Sequence, residues 1–405
     1  MLMTRNRRYL LAPTLLASLT LLTGCAGLDA GRDLISGLTE YVLGDDDNAD
    51  PPATLAEDFQ GEIQTEPLWQ HTIGDGADGQ FLKLIPAVRS DILFVGDRHG
   101  LLQALNSING ETAWENKTSY NFSAGPGIGV HSIFMGTSHA EVIAFDKVTG
   151  EQKWNTRVPS EVLAVPVVAR GLVFIRTTDG KIIALNEQSG SLVWTVEQSV
   201  PALSIRGTGN PLVIDDTLIA GAANGKLGAF QVSDGKALWE ATIAMPSGRS
   251  EVERLVDLDV DPVERRGAIF IASYQGGTSS VSETDGDVIW RNEAVSSYTG
   301  LSTDMRYIYI SDIHGDVSQL DQRNGAALWK QKDLHNRRLT AAIAYDNYVV
   351  VGDFEGYVHW LSITDGRLMG RTRITKAPIE NTPVVVDGTV YVYAKDGTLA
   401  ALRVK

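Results

Sequence analysis

One unit of about forty residues recurs along this chain and constrains its fold more than any other feature. Each copy begins at a small residue, seven copies pass through a turn glycine, and six of these end in tryptophan. Successive copies start 40, 40, 45, 51, 39, 41 and 41 residues apart, from Gly100 to Gly397. A period near 40 made of short apolar runs indicates a propeller or a solenoid rather than several unrelated domains.

Each copy contains four strand-like runs separated by turn residues. In the first copy the runs are IPAV, ILFVGD, LLQALN and ETAWEN, and glycines at Gly100 and Gly110 occupy two of the turns. Glycine tolerates the positive φ that tight hairpin turns require. Eight all-β units of four strands predict an eight-bladed β-propeller of four-stranded antiparallel blades.

The two ends of the repeat region are complementary. The eighth copy, GTLAALRVK, stops before its tryptophan, whereas residues 66–70 resemble a fourth strand that lacks a preceding third strand. Pairing of residues 66–70 with residues 399–404 would close the ring and remove two exposed sheet edges. The sequence therefore predicts that the N-terminal strand completes the C-terminal blade.

Seven tryptophans occupy one position of the repeat under this interpretation. Gly370 stands at the eighth such position, and Trp360 lies outside the pattern. Periodic placement around a ring argues against convergence on one sugar or cofactor, so we expect these rings to cover the joints between blades. The seven residues are Trp69, Trp114, Trp154, Trp194, Trp239, Trp290 and Trp329.

The N-terminal region has the features of an export signal followed by a lipid anchor. Residues 1–24 combine three arginines with an apolar stretch that is too short to span a bilayer, and the stretch ends in Leu-Thr-Gly-Cys25. This ending resembles a bacterial lipobox, which implies acylation of Cys25; the alternative is a buried free cysteine. We interpret residues 25–61 as a flexible tether, whose acidic run lacks the pattern of a calcium loop, and residues 62–405 as the propeller.

Composition and missing motifs exclude several classes of function. The formal net charge is −15 and no basic run follows the first ten residues, so we expect no nucleic-acid partner. A single cysteine excludes a disulfide framework and a multi-thiolate metal site within one chain. His99, His139 and His314 fall at one repeat position and therefore in different blades. We predict no enzymatic activity, no metal and no cofactor.

The repeat A-x-D/N-x-x-T/S-G-x-x-x-W resembles the tryptophan-docking repeat of quinoprotein dehydrogenases. With the lipobox and the acidic tether, the whole chain is similar to the BamB family of outer-membrane protein assembly factors. The most specific matches are ALSIRG at 202–207, ERLVDLD at 253–259 and VVGDFEGY at 350–357. This resemblance implies a non-enzymatic lipoprotein of the Gram-negative outer membrane. It would face the periplasm and bind the POTRA domains of a BamA-type insertase.

The family's contact positions fall here on five residues of two neighbouring repeats, and the repeat spacing points to the same region. The two long intervals, 45 and 51, place extra residues after Trp194 and Trp239, in connectors on one face of the ring. An alternative is that Arg206 only pairs with one of the acidic residues and stabilises the blade joint. The five predicted positions are Leu203, Ile205, Arg206, Asp257 and Asp259.

Two other functions remain open from the sequence. The first is a quinoprotein-type dehydrogenase, but by family comparison such enzymes usually carry adjacent cysteines and extended loops, which this chain lacks. The second is a scaffold that binds unfolded β-strand clients directly by adding them to the outer edges of the blades. This second role is compatible with insertase binding.

Overall fold

The computed structural model describes residues 50–205 and 209–405, and the ordered elements of those residues are β-strands. Within these ranges no helix is long and apolar enough to cross a membrane. The predicted signal peptide, Cys25, the first part of the predicted tether and Arg206 lie outside the described residues.

In the described residues thirty-three strands form eight sheets, which we number as blades 1 to 8 from the first complete sheet. Strand β1 spans Thr65–Thr72 and β2 spans Lys83–Leu84. Blade 1 contains β3 (Ala87–Arg89), β4 (Ile92–Gly96), β5 (Leu101–Asn106) and β6 (Thr112–Lys117). Blade 2 contains β7 (Phe122–Ile128), β8 (Ser132–Thr137), β9 (Glu141–Asp146) and β10 (Gln152–Arg157). Blade 3 contains β11 (Val167–Ala169), β12 (Leu172–Arg176), β13 (Lys181–Asn186) and β14 (Leu192–Glu197). Blade 4 contains β15 (Leu212–Ile214), β16 (Thr217–Gly221), β17 (Lys226–Gln231) and β18 (Ala237–Thr242).

The remaining blades repeat this order. Blade 5 contains β19 (Val263–Arg265), β20 (Ala268–Ser273), β21 (Gly277–Ser282) and β22 (Val288–Asn292). Blade 6 contains β23 (Leu301–Thr303), β24 (Tyr307–Ser311), β25 (Val317–Asp321) and β26 (Ala327–Gln331). Blade 7 contains β27 (Ile343–Tyr345), β28 (Tyr348–Gly352), β29 (Tyr357–Ser362) and β30 (Leu368–Arg373). Blade 8 contains β31 (Val384–Val386), β32 (Thr389–Tyr393), β33 (Thr398–Val404) and β1.

The predicted ring closure is confirmed. Strand β1 pairs antiparallel with β33, with Trp69 opposite Ala401, so the N-terminal strand is the outer strand of blade 8. Apolar clusters join each blade to the next all the way round, and one of them combines residues of blades 8, 1 and 2. The fold is therefore an eight-bladed β-propeller, as the repeat predicted.

The seven repeated tryptophans lie at the joints between blades, which confirms their predicted role. Each indole Nε1–H donates to a backbone carbonyl of the following blade; for Trp194 the acceptor is Val232 O, at 2.9 Å. The ring also covers the turn glycine of that blade. A Cβ on Gly235 would lie 2.8 Å from the ring of Trp194, so glycine is required there for close approach as well as for its positive φ.

Blade 7 departs from this pattern for a structural reason. The following blade has no turn between its third and fourth strands, because β33 and β1 are the two ends of the repeat region. A tryptophan at position 370 would therefore have no turn to cover. Gly370 is instead paired with Trp360 on the adjacent strand β29, and Ile63 fills the space beside it, since a Cβ on Gly370 would lie 2.8 Å from the Ile63 side chain.

Residues 50–61, which the sequence assigned to the tether, contact the propeller. The compact unit begins at Asp50. The Ala53 N–H donates to His335 O at 2.9 Å, and Ala53 O accepts a hydrogen bond from Arg337 at 2.9 Å. Phe59 lies under the guanidinium of Arg371, 5.1 Å from ring centre to Cζ. Backbone hydrogen bonds and the contact between Phe59 and Arg371 therefore hold this segment against blades 6 and 7.

Candidate partner-binding site

Two long connectors between blades lie side by side, as the repeat spacing predicted. They span residues 198–211, between blades 3 and 4, and residues 243–262, between blades 4 and 5. Both approach the β16–β17 turn of blade 4. The Leu258 N–H donates to Ala222 O at 3.2 Å, and Ala222 also lines a small cavity together with Ile205. We call the described residues of these two connectors the connector surface.

Among the described residues of the predicted site, Leu203 and Ile205 reach solvent. The Leu203 side chain is 43% exposed, and Ile205 is half-buried. The cavity beside Ile205 measures about 20 Å³, which is room for roughly one water molecule. This cavity is too small for an organic ligand, and the connector surface offers exposed apolar side chains there instead.

Asp257 and Asp259 are brought next to Ile205, but both are buried, with exposed fractions of 2% and 7%. Between them Leu258 inserts into the core shared by blades 4 and 5. Arg176, at the end of β12, donates to Gly209 O at 3.1 Å, and its second guanidinium nitrogen lies 3.9 Å from Asp259 Oδ1. The two aspartates therefore form the buried part of the connector surface.

The surroundings of Asp257 raise its pKa to about 7, mainly because burial removes water from the carboxylate and secondly because the charge of Asp259 is close. The N–H groups of Asp257 and Ile205 and the charge of Arg176 act in the opposite direction. Among the described residues, no donor meets hydrogen-bond geometry with either Asp257 oxygen. A carboxylate in this setting costs stability when it is ionised.

The connector surface also contains exposed apolar residues that sequence reasoning missed. Met245 is 73% exposed, Val252 is 40% exposed and Val200 is 37% exposed. Val200 lies in the same connector as Leu203, and Met245 and Val252 lie in the other connector. The sequence could have indicated them, because these loops are longer than the repeat requires and contain large apolar side chains. Surface loops normally carry polar residues at such positions.

The loop that presents Val252 is held by its own hydrogen bonds. The Glu253 carboxylate accepts from the N–H groups of Arg249, at 2.6 Å, and Ser250, at 3.0 Å. These bonds lower the pKa of Glu253, which keeps its carboxylate ionised. The surface is thus locally ordered, with charged groups around apolar residues, an arrangement typical of a protein–protein contact. Within the described ranges no group of three metal-ligating side chains occurs.

Known proteins are similar to this chain over most of its length. The family model described as "Outer membrane protein assembly factor BamB" matches residues 98–331 and 313–405. A protein of that name from Alkalilimnicola ehrlichii is 44% identical over 98% of this chain and 97% of its own length. The crystal structure of BamB from Moraxella catarrhalis superposes with a TM-score of 0.77 at 26% identity, over 84% of this chain and all of that one. The quinohemoprotein alcohol dehydrogenase of Comamonas testosteroni shares the fold alone, at 12% identity and a TM-score of 0.66, over 84% of this chain and 76% of its own.

Proposed function

Because this chain belongs to the BamB family of outer-membrane protein assembly factors, we propose that it attaches to the periplasmic POTRA region of a BamA-type insertase and assists the insertion of outer-membrane proteins. In this proposal acylated Cys25 anchors the chain to the outer membrane, with the propeller in the periplasm. Its contribution is to bind and hold a partner, and it catalyses no reaction.

The observation that carries this proposal is the pair of adjacent long connectors with exposed apolar residues. Leu203, Met245 and Val252 offer apolar area on one part of an otherwise repetitive ring. Apolar residues near the centre of an interface usually contribute most of the binding free energy, and surrounding polar groups add specificity. A surface made only of short repeated turns would offer no such local difference.

Asp257 and Asp259 have a supporting role in this proposal. Since both are buried, and Leu258 between them inserts into the core, they belong to the interior of the connector rather than to its contact with the partner. Arg206, whose guanidinium could bind a carboxylate of the partner in a bidentate manner, completes the proposed contact set.

The test is a binding measurement between the purified propeller and soluble POTRA domains. We expect Leu203→Glu to weaken binding by at least about thirtyfold, because a charge would be buried in the centre of the contact at a cost of about 2 kcal/mol or more. The folded protein should keep its thermal midpoint, since Leu203 is 43% exposed.

Leu238→Glu is the matched control, because Leu238 is 45% exposed but lies on the outer strand β18, away from the connector surface. It should bind POTRA domains like the wild type. Equal binding by Leu203→Glu and the wild type would reject the connector surface as the contact. No binding by the wild type would reject the proposed function itself.

A second candidate function, direct binding of unfolded β-strand clients, is favoured by one observation. The outer strands of blades 3 to 6 expose apolar residues, including Leu192 and Ile289, at 63% and 54%. On blade 7 the corresponding edge is covered by an extended segment of the chain itself, whose Ile63 N–H donates to Met369 O at 3.2 Å. If clients add to the exposed outer strands as this segment adds to blade 7, Leu238→Glu should reduce crosslinking to an unfolded β-barrel protein while leaving POTRA binding intact.

A further inference from the structure

Residues 83–85 lie across the mouth of the central channel. Strand β2 pairs in parallel with β7, the inner strand of blade 2, and the Ile85 N–H donates to Gly125 O at 3.1 Å. From the other side, Asn381, which precedes the inner strand of blade 8, donates to Leu84 O at 3.2 Å. Backbone bonds therefore hold this segment in place before the chain enters blade 1.

The Lys83 side chain extends from this segment to the far side of the ring. Its Nζ lies 2.5 Å from Oδ1 of Asp261, the carboxylate that precedes the inner strand of blade 5. The segment that carries Lys83 is bonded to blades 2 and 8, which flank blade 1. Blade 1 is opposite blade 5 in an eight-bladed ring. The ion pair thus joins opposite sides of the channel mouth, and the lysine side chain is largely buried, at 14% exposure.

Asp261 also joins the ends of both long connectors. Its Oδ1 accepts from the Asn210 N–H at 2.6 Å, and its Oδ2 accepts from the Asn210 side-chain amide at 2.9 Å. The Asn210 Oδ1 in turn accepts from the Val165 N–H at 2.8 Å. Val165, Asn210 and Asp261 each lie two residues before the inner strand of their blades, so one chain of hydrogen bonds links blades 3, 4 and 5.

This arrangement depends on the charge of Lys83. Asp261 accepts hydrogen bonds from both groups of Asn210, and the lysine provides the positive charge that compensates the carboxylate at the channel mouth. Bonds of this charge-assisted kind are stronger and more directional than neutral ones. Asn210 lies near the end of the 198–211 connector and Asp261 near the end of the 243–262 connector, so this carboxylate joins the two connectors directly.

We propose that Lys83 is a positioning residue for partner binding: through Asp261 and Asn210 it holds the two connectors in the arrangement that the partner recognises. This inference rests on the proposed function. It adds Lys83 to the residues that partner binding requires, although Lys83 lies across the channel from blade 5 and outside both connectors. The ion pair acts on the population of the binding-competent arrangement, and affinity falls in proportion to that population.

The test compares Lys83→Met with Lys83→Arg and Lys395→Met in the full propeller. Methionine keeps most of the side-chain volume without the charge, whereas arginine restores the charge and its donors. Lys395 is a matched control because its side chain is about as buried as that of Lys83, at 16% exposure, and forms an ion pair with Glu380, 2.9 Å long and outside the two connectors. Affinity for POTRA domains and amide hydrogen exchange are measured for each variant.

We expect Lys83→Met to bind about tenfold more weakly, with faster exchange of the Asn210 and Leu258 amides and an unchanged exchange rate in blade 7. Lys83→Arg should recover most of the affinity, and Lys395→Met should bind like the wild type. Wild-type affinity and unchanged exchange in Lys83→Met would overturn the inference while leaving the proposed function intact. Failure of the wild type to bind would instead reject the proposed function.

Asp261→Asn provides a second route if Lys83→Met is too unstable to study. It keeps the shape of the side chain and removes the charge that Lys83 compensates. It should loosen the same amides and weaken binding, whereas unchanged binding with loosened amides would also contradict the positioning role, because the spacing of the connectors would then not matter to the partner.

Discussion

The tryptophan joints and the connector surface are built on opposite principles. At the joints, one contact is repeated seven times: an indole covers a turn glycine and donates to a carbonyl of the next blade. At the connector surface the repeat is broken, since Leu203, Met245 and Val252 lie in the extra residues of the two long connectors. The joints hold the ring together, and the connectors distinguish one part of its rim from the rest.

This difference indicates how stability and recognition are separated in the molecule. Burying about 200 Å² of each indole contributes up to about 5 kcal/mol, and these contributions are spread around the ring. Exposed connector residues contribute little to the free energy of folding, so their identity can be adapted to binding a partner. Mutations in the two regions should therefore affect different measurements.

The largest effect on stability should come from a joint. Trp194→Ala removes a ring that is 8% exposed and its hydrogen bond to Val232 O, so we expect a loss of about 3–5 kcal/mol in the free energy of unfolding. Chemical denaturation measures this loss. Val193→Ala, on the adjacent and 46% exposed residue, should change stability by less than about 0.5 kcal/mol. Similar losses for the two variants would contradict the role of the joints.

A smaller effect, dependent on pH, should come from beneath the connectors. The pKa of Asp257 is raised to about 7, so the folded protein holds its proton more tightly than the unfolded chain does. Its contribution to stability is therefore present at low pH and is lost as pH rises from about 4 to about 7. Asp257→Asn should remove this dependence, which amounts to up to about 4 kcal/mol across that range.

Thermal denaturation at several pH values measures the difference between Asp257→Asn and the wild type. Asp234→Asn, at an exposed turn of blade 4, is the control for a general change in charge. Parallel pH profiles for the wild type and Asp257→Asn would show that the carboxylate is ionised without penalty.

The smallest effect should come from restoring the missing joint. Gly370→Trp introduces a ring where Ile63 lies, so we expect a loss of about 1–2 kcal/mol, limited because residues 50–63 can detach instead of straining the blade. Faster exchange of the Ala53 and Ile63 amides would report that detachment. Combining Gly370→Trp with Ile63→Ala should recover part of the loss, and strictly additive effects would rule out a clash between the two side chains.

Much of the ring could be predicted because the same sequence pattern recurs in successive blades. The strand order, the turn glycines, the tryptophan joints and the closure by β1 all follow from the period and from the truncated eighth copy. The adjacency of the two long connectors also followed from their spacing. The burial of Asp257 and Asp259 could not be predicted, because polar residues in a loop give no local indication that the loop folds inward.

The architecture follows from the repeat alone, since each blade needs only local hairpins and one contact with its neighbour. The contacts at the places where the repeat is broken become visible in the folded ring: Ile63 against Gly370, and Lys83 across the channel mouth on Asp261. These contacts join residues far apart in the sequence, and no periodic pattern describes them. Their geometry exists only once the ring has closed.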